Sequence, residues 1–466
     1  MRDPSRRIPL IVAAAFFMET LDASIIVTAL PSIAHSFGRS TLALSLGISA
    51  YLVAAAVLVP TAGWVSERFG ARNVFASAVG LFTVASLLCG LSPSFWAFVA
   101  ARVLQGAAAA FMSPVGRMVV LREAPKNRII ESLGMIVWPA LIGPVVGPPL
   151  GGFIATYASW HWIFFINLPI GLLGLWLVLR YIPRHAPGPR QPFDWPGFAY
   201  TATALVALIQ GLSLLAEAPG QRLLGLLLCL AGLGLGALAL RHARHQERLQ
   251  ATPLLDLQAT REPVFMLSAV SAGLLGRVAI NAVPFLLPLM FQIGFGLSPF
   301  HAGLMLLVYM AGNLLMKLGT TQLLRRYGFR RVLVVNGLLG AASIGLCGLL
   351  TPAWPLLPLC ATLLLTGMAR SMQFTALNTL AFADIPTSAR AGASTLTAMA
   401  FQLSSALGVA FATLGLASAT WPGHASSTSL GSFHWALLCC SALMAASALW
   451  LLKLPRQAGE QVIAVN

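Results

Sequence analysis

The sequence predicts an all-α polytopic membrane protein of fourteen transmembrane spans, built as two six-helix bundles with two additional central helices. Three observations carry this. Hydrophobic residues make up 58% of the 466-residue chain and charged residues only 9%, against about 25% charged in soluble domains. The apolar residues gather in long runs, and a spanning helix needs about 20 of them. With both chain ends cytoplasmic, 22 Lys and Arg fall on inner loops and tails, two (Arg39 and Arg222) on the outer side and five within spans. Such a bias sets orientation and favours an even number of spans. The net charge of +16 is therefore topological. A nucleic-acid binder would cluster its basic residues on one face, whereas here they sit in short loops between apolar runs.

The spans are expected near 9–33, 42–64, 74–92, 95–121, 129–156, 160–181, 196–216, 222–240, 263–292, 299–323, 332–351, 354–381, 391–416 and 431–452. They divide the chain into a bundle over 1–182, a linker with two additional spans over 183–262 and a second bundle over 263–466. The separation of spans 7 and 8 rests on Glu217, Pro219, Gly220 and Arg222. The first apolar run has no small-residue cleavage site, so it is span 1 and not a signal peptide. All six cysteines lie within apolar runs, without metal-ligand or disulfide spacing. No phosphate-binding G-x-x-x-x-G-K-[ST] loop occurs, and no nucleophile–base constellation points to an enzyme. No metal or cofactor is expected, and any work must draw on a gradient.

Span 1 contains FFMETLDASIIVTALP, which places Glu19 and Asp22 where lipid would be; of the 13 acids, these two alone lie deep in an apolar run. A charge at that depth costs about 2.5–3.5 kcal/mol on insertion scales, so an intramembrane acid marks a candidate site. Their i, i+3 spacing puts both on one helix face. After span 2, Arg68-Phe69-Gly70-Ala71-Arg72 matches Arg326-Tyr327-Gly328-Phe329-Arg330 at an offset of 258 residues. Repeated halves are a signature of secondary transporters. The offset needs two six-span bundles plus something between them, and spans 7 and 8 supply it.

Span 4 carries Arg102, Gln105 and Gly106, with Gly106 and Ala110 forming a small-xxx-small face. Arg117 lies close enough to the cytoplasm to snorkel, whereas Arg102 is deep and needs a partner. Span 5 reads GPVVGPPLGG. Gly143, Gly147 and Gly151 recur every four residues, and Pro144, Pro148 and Pro149 remove backbone donors. A bent, closely packed span at a moving interface is expected. Trp160 and Trp162 open span 6 at the outer interface.

These motifs together resemble the major facilitator superfamily and, within it, the fourteen-span drug:proton antiporter branch. The span-1 motif L-D-x-T-I-V-N-V-A-L-P is matched by Leu21 to Pro31, with Ser24 for Thr and Val27 for Asn. The loop signature G-x-x-x-D-R-x-G-R-R is matched by Gly63, Arg68, Gly70 and Arg72, with Glu67 for Asp and Ala71 for one basic residue. R-x-x-Q-G falls on Arg102, Gln105 and Gly106, and the antiporter motif on Gly143, Pro144, Gly147, Pro148, Gly151 and Gly152. FQIGFGLSPFHAGL, in the second half, resembles a multidrug-resistance group of the same branch. The resemblance implies a monomeric inner-membrane exporter of hydrophobic, often cationic compounds, exchanged for protons.

Spans 7 and 8 have no midspan charge and suit packing or spacing. Span 9 brings Arg277 and Asn281 to one face, span 10 carries Asn313 and Lys317, and span 12 carries Arg370, Gln373 and Asn378. Lys317 is expected to snorkel. Span 13 adds Ser394, Thr397, Gln402, Ser404 and Ser405. With Gln105, the larger of these side chains (Arg277, Asn281, Arg370, Gln373 and Gln402) are expected to line a central, substrate-binding cavity or to bond between helices. Alternating access between two bundles is the expected mechanism. Asp22, with Glu19 and Arg102, would bind a proton from outside and release it when substrate arrives from within. Two cavity acids suit a cation; three buried arginines equally suit an anionic metabolite or chelator. A non-transporting membrane sensor is the third reading.

Overall fold

The structure is a computed structural model that describes residues 4–123, 128–184, 192–217, 221–249, 253–386, 389–419 and 429–460. Fourteen long helices follow the expected spans among these residues. The first unit holds α1 (Pro4–Ser36), α2 (Thr41–Leu58, continuing after a 3-10 turn as Ala62–Phe69), α3 (Ala71–Gly90), α4 (Phe95–Glu123), α5 (Ile129–Tyr157) and α6 (Asn167–Tyr181). The second holds α7 (Trp195–Glu217), α8 (Arg222–Arg248), α9 (Ala272–Leu289), α10 (Pro299–Tyr327), α11 (Phe329–Cys347), α12 (Leu356–Ala381), α13 (Arg390–Ser418) and α14 (Leu430–Trp450). Residues Ser298–Gly303, at the start of α10, are counted with the first unit. Thirteen of the described helical segments are long and apolar enough to cross a membrane. The fourteenth, α12, has the length, 26 residues, but Arg370 and Gln373 in its middle lower its hydropathy. Pro219 and Gly220, on which the separation of α7 and α8 partly rested, lie outside the described residues, as does part of the 183–195 linker. The helices α7 and α8 fall within the second unit, where α7 lies against α13.

In the first unit, the glycine stripe of α5 receives the acid-bearing helix α1. A Cβ at Gly143 would overlap Thr20, one at Gly147 would overlap Ser24 Oγ, and one at Gly151 would overlap the Ile25 carbonyl. Small residues let two backbones approach where no hydrophobic effect drives helices together in lipid. Two α1 hydroxyls also reach across to carbonyls of α5. Ser24 Oγ donates to the Gly143 carbonyl at 3.3 Å and Thr28 Oγ1 to the Pro148 carbonyl at 3.2 Å. Gly147→Ala and Gly151→Ala are each expected to lower stability by about 1–3 kcal/mol through overpacking, read as a drop in the thermal midpoint of purified protein. Gly63→Ala, which meets no atom within 4 Å, is the control and leaves the midpoint in place.

The repeated loop has matching structure in both units. Gly70 and Gly328 have φ of 84° and 75°, a conformation that costs other residues about 1–2 kcal/mol. Each ends one helix and starts the next, its N–H donating at 2.9 Å to Ser66 or Leu324. Arg72 then donates to the Leu179 carbonyl at the end of α6, and Arg330 to the Leu452 carbonyl just past α14, at 2.8 Å. A cation there complements the negative end of the helix dipole. Arg68 and Arg326 stack on the aromatic rings of Phe69 and Tyr327.

In the second unit, Asp194 ties the start of α7 to the end of α8. Its carboxylate accepts from Gly197 N at 2.9 Å and Leu254 N at 3.1 Å, and pairs with His242 Nε2 at 2.8 Å. Partial burial pushes this carboxyl up, but the two backbone donors and His242 outweigh it and hold it below the usual carboxylate range. A depressed carboxyl contributes stability that is present above its unfolded value, near pH 4, and is lost as pH falls through the folded value. Thermal midpoints measured between pH 6 and 3 are expected to fall less steeply for Asp194→Asn than for wild type.

Candidate functional site

Asp22 sits at the centre of a hydrogen-bond network inside the first unit. Arg102 Nη1 donates to its Oδ2 at 2.9 Å, while Gln105 Nε2 and Asn167 Nδ2 donate to Oδ1 at 2.8 and 2.7 Å. Ser86 Oγ accepts from both amides, at 2.8 Å from Gln105 and 3.3 Å from Asn167. Arg102 also donates to Gln105 Oε1 and to the Gly47 carbonyl, and its guanidinium lies 4.4 Å from the Tyr51 ring centroid. Close approach makes the last contact possible: a Cβ at Gly106 would overlap the Tyr51 carbonyl. Asp22 and Arg102 are each 1% exposed, and Gln105 and Asn167 are fully buried. Five helices, α1, α2, α3, α4 and α6, therefore meet on one neutral ion pair. A buried pair this well satisfied is costly to break, because either charge left alone is uncompensated.

Glu19 lies one turn earlier on α1 and is 8% exposed. Its Oε2 accepts from Ser113 Oγ of α4 at 2.8 Å, and no ion pair within 4 Å reaches it among the described residues. The charge of Arg117, itself exposed, acts on it from farther away. The i, i+3 spacing does put both acids toward α4, but their surroundings differ. Asp22 is enclosed by donors; Glu19 has one.

The second unit treats its polar residues differently. Arg277 is fully buried, and its Nη1 donates to the Ser268 and Ala269 carbonyls at 3.2 and 3.1 Å. Those carbonyls belong to a π-helical turn, Met266–Val270, that precedes α9. Arg277 Nη2 donates to Asn378 Oδ1 at 2.9 Å. Asn281 donates to Ser404 and Ser405, both at 3.2 Å, and buried Gln373 accepts from Asn336 at 3.0 Å. Gln402 is half-buried on α13. Arg277, Asn281 and Gln373 thus join helices to one another, and Gln105 belongs to the Asp22 network; Arg277 Nε and Gln373 Nε2 are buried without a hydrogen-bond partner among the described residues. Lys317 donates to Thr375 Oγ1 on α12.

Asn167, Ser86, Ser113 and Tyr51 were not singled out by the sequence. Asn167 and Ser86 each stand as a lone small polar residue in an apolar span, a weak signal, because most such residues bond to their own helix.

The family follows from comparison. A sequence profile of the Major Facilitator Superfamily matches residues 12–409. The chain belongs to this superfamily. It is 36% identical over 460 residues to the multidrug resistance protein MdtD of Salmonella heidelberg (strain SL476), covering 97% of this chain and 96% of the relative. It is 38% identical over 462 residues to the MdtD protein of Cronobacter sakazakii (strain ATCC BAA-894), covering 96% and 94%. A D-xylose-proton symporter structure superposes with a TM-score of 0.68 at 16% identity, covering 97% of this chain and 98% of that one. The nucleoside transporter NupG, in the form of a point mutant, gives 0.64 at 12% identity, covering 97% and 99%. At these identities the likeness is one of fold, the major facilitator fold. The chain is thus a multi-pass membrane transporter of the major facilitator type, similar throughout to multidrug resistance proteins.

Proposed function

We propose that this protein is a proton-driven exporter of hydrophobic small molecules and that Glu19, not Asp22, carries the exchanged proton. The observation behind this is the contrast between the two acids. Asp22 has an arginine and two amides on its oxygens, so its charge is compensated and a proton would displace donors already in place. Glu19 has one hydroxyl donor and, among the described residues, no contact ion pair, so its charge is the one that neutralisation relieves. In an alternating-access cycle, Glu19 binds a proton from outside, and a compound arriving from the cytoplasm, cationic ones most readily, displaces it. Asp22 and Arg102 hold α1 in register with α4 throughout. The glycine-proline face of α5 (Gly143, Pro144, Gly147, Pro148, Gly151, Gly152) and the repeated loops (Gly63, Glu67, Arg68, Gly70, Arg72) serve the conformational change.

The names of the similar proteins support drug-like cargo. The reading includes a monomer in the inner membrane, both termini cytoplasmic, drawing on the proton gradient with no cofactor. The test is flux in proteoliposomes under an imposed pH gradient, with a lumenal pH dye reporting counter-moving protons. Cargo accumulation that follows the gradient and collapses with a protonophore supports the proposal. Flux indifferent to the gradient overturns it.

A further inference from the structure

The outward side of α6 runs into a cluster of cations. Along this helix Leu172, Trp176 and Leu179 are exposed, and their spacings of four and three residues put them on one face. On a spanning helix such a face lies against acyl chains, which are as apolar as leucine. The helix finishes at Arg180 and Tyr181, also exposed. Trp176 meets the Tyr181 ring edge-on, with centroids 6.4 Å apart. Rings of this amphipathic kind sit at the level of lipid headgroups.

Arginines from three helices converge on this end of α6. The Arg180 guanidinium lies 5.6 Å from the Tyr181 ring centroid, and that of Arg7, near the start of α1, lies 5.7 Å from the same centroid. The two charges are therefore held close to each other. Arg72, on α3, donates to the Leu179 carbonyl, while its Nε and Nη1 are buried without a hydrogen-bond partner among the described residues. None of the three arginines has an ion pair within 4 Å among the described residues. A ring face and a helix-end carbonyl attract cations, but neither carries a whole counter-charge. The flanking sequence adds more cation than anion. Residues 1–10 hold Arg2, Arg6 and Arg7 against Asp3, and residues 180–190 hold Arg180, Arg184 and Arg190 with no acid. Like charges gathered in this way repel one another and favour an anion among them. The apolar face beside them selects an anion that carries acyl chains.

We infer that the end of α6, with Arg7 and Arg180 beside Tyr181, is a docking surface for an anionic phospholipid. Its headgroup phosphate takes charge-assisted bonds from the two arginines, and its chains lie along Leu172, Trp176 and Leu179. Arg72, held on its carbonyl, adds charge and no contact. Because Arg7 belongs to α1 and Arg180 to α6, an occupied surface braces the acid-bearing helix against its neighbour. The inference needs only the membrane spans, so it stands or falls separately from proton exchange at Glu19.

The test is lipid binding to purified full-length protein in detergent micelles, counted by mass spectrometry of the intact complex. The first dioleoyl phosphatidylglycerol is expected to bind about 25-fold more tightly than the first dioleoyl phosphatidylcholine, about fivefold for each arginine at an anionic headgroup. Arg7→Gln and Arg180→Gln are each expected to cut that preference about fivefold. Arg39→Gln is the control: Arg39 lies past the other end of α1, 5.8 Å from the Phe95 ring centroid, and its loss leaves the preference in place. The preference itself is read on wild type, so a variant that fails to fold does not void the test. Equal binding of the two lipids by wild type, or a preference that survives in both folded Gln variants, overturns the inference. Inorganic phosphate and glycerophosphoglycerol, the headgroup without its chains, are expected to leave the bound phosphatidylglycerol in place at equal concentration. Displacement by either would make this a site for a free phosphate ester, and the lipid assignment would fall.

Discussion

Glu19→Gln is expected to reduce proton-linked export to the level of protein-free liposomes while leaving the protein folded. Glutamine has the shape of glutamic acid and keeps an oxygen for the Ser113 hydroxyl, 2.8 Å from Glu19 Oε2. What it lacks is a proton to give up. The variant therefore mimics the protonated state permanently, and a cycle that must discharge a proton to turn over stops. Exchange of labelled for unlabelled cargo, which needs no net proton movement, is expected to continue, so the defect lies in coupling and not in folding or binding. Measuring both fluxes on one preparation separates the two. Wild-type proton-to-cargo coupling in Glu19→Gln would remove Glu19 from the mechanism.

Asp22→Ala and Arg102→Met are expected to act on stability before they act on transport. Each leaves one member of a buried ion pair with no countercharge, which costs about 3–5 kcal/mol. In Asp22→Ala the Arg102 guanidinium keeps only Gln105 and the Gly47 carbonyl; in Arg102→Met the Asp22 carboxylate keeps the two amides. Arg102→Met is thus the milder of the two. The double variant Asp22→Leu with Arg102→Met removes both charges together and is expected to recover much of the loss, because an apolar pair of similar volume replaces a buried ion pair at little cost. Thermal unfolding of the four proteins forms a double-mutant cycle with a large coupling energy. Additive losses, or single variants that melt with wild type, would show that the pair is not what joins α1 to α4.

Parts of this site were legible in the sequence for local reasons. A carboxylate or guanidinium in an apolar run is conspicuous wherever its partner lies, so Glu19, Asp22, Arg102, Arg277 and Arg370 stood out. The glycine ladder of α5 announced a close contact because its period matches one helix face, but nothing local says that α1 fills it. The repeated Arg-aromatic-Gly-x-Arg pattern announced two related turns, and Gly70 and Gly328 share the left-handed backbone that the shared glycine permits. The contact made by Lys317 was not legible, because distance from the helix end fixes how far a lysine can reach and not which way it turns. Thr375, 58 residues away, decided that.

Sequence alone determined that this chain crosses the bilayer about fourteen times and that its halves are related. In lipid each backbone must satisfy its own hydrogen bonds, which makes an apolar run of sufficient length a helix whatever its neighbours are. Tertiary structure alone decided which of two acids three residues apart is neutralised in place. The donors to Asp22 lie 80, 83 and 145 residues along the chain, and the donor to Glu19 lies 94 residues away. The compensation of a buried charge is set by what packing brings within about 3 Å of it, and that is a property of the folded helices and not of any one stretch of sequence.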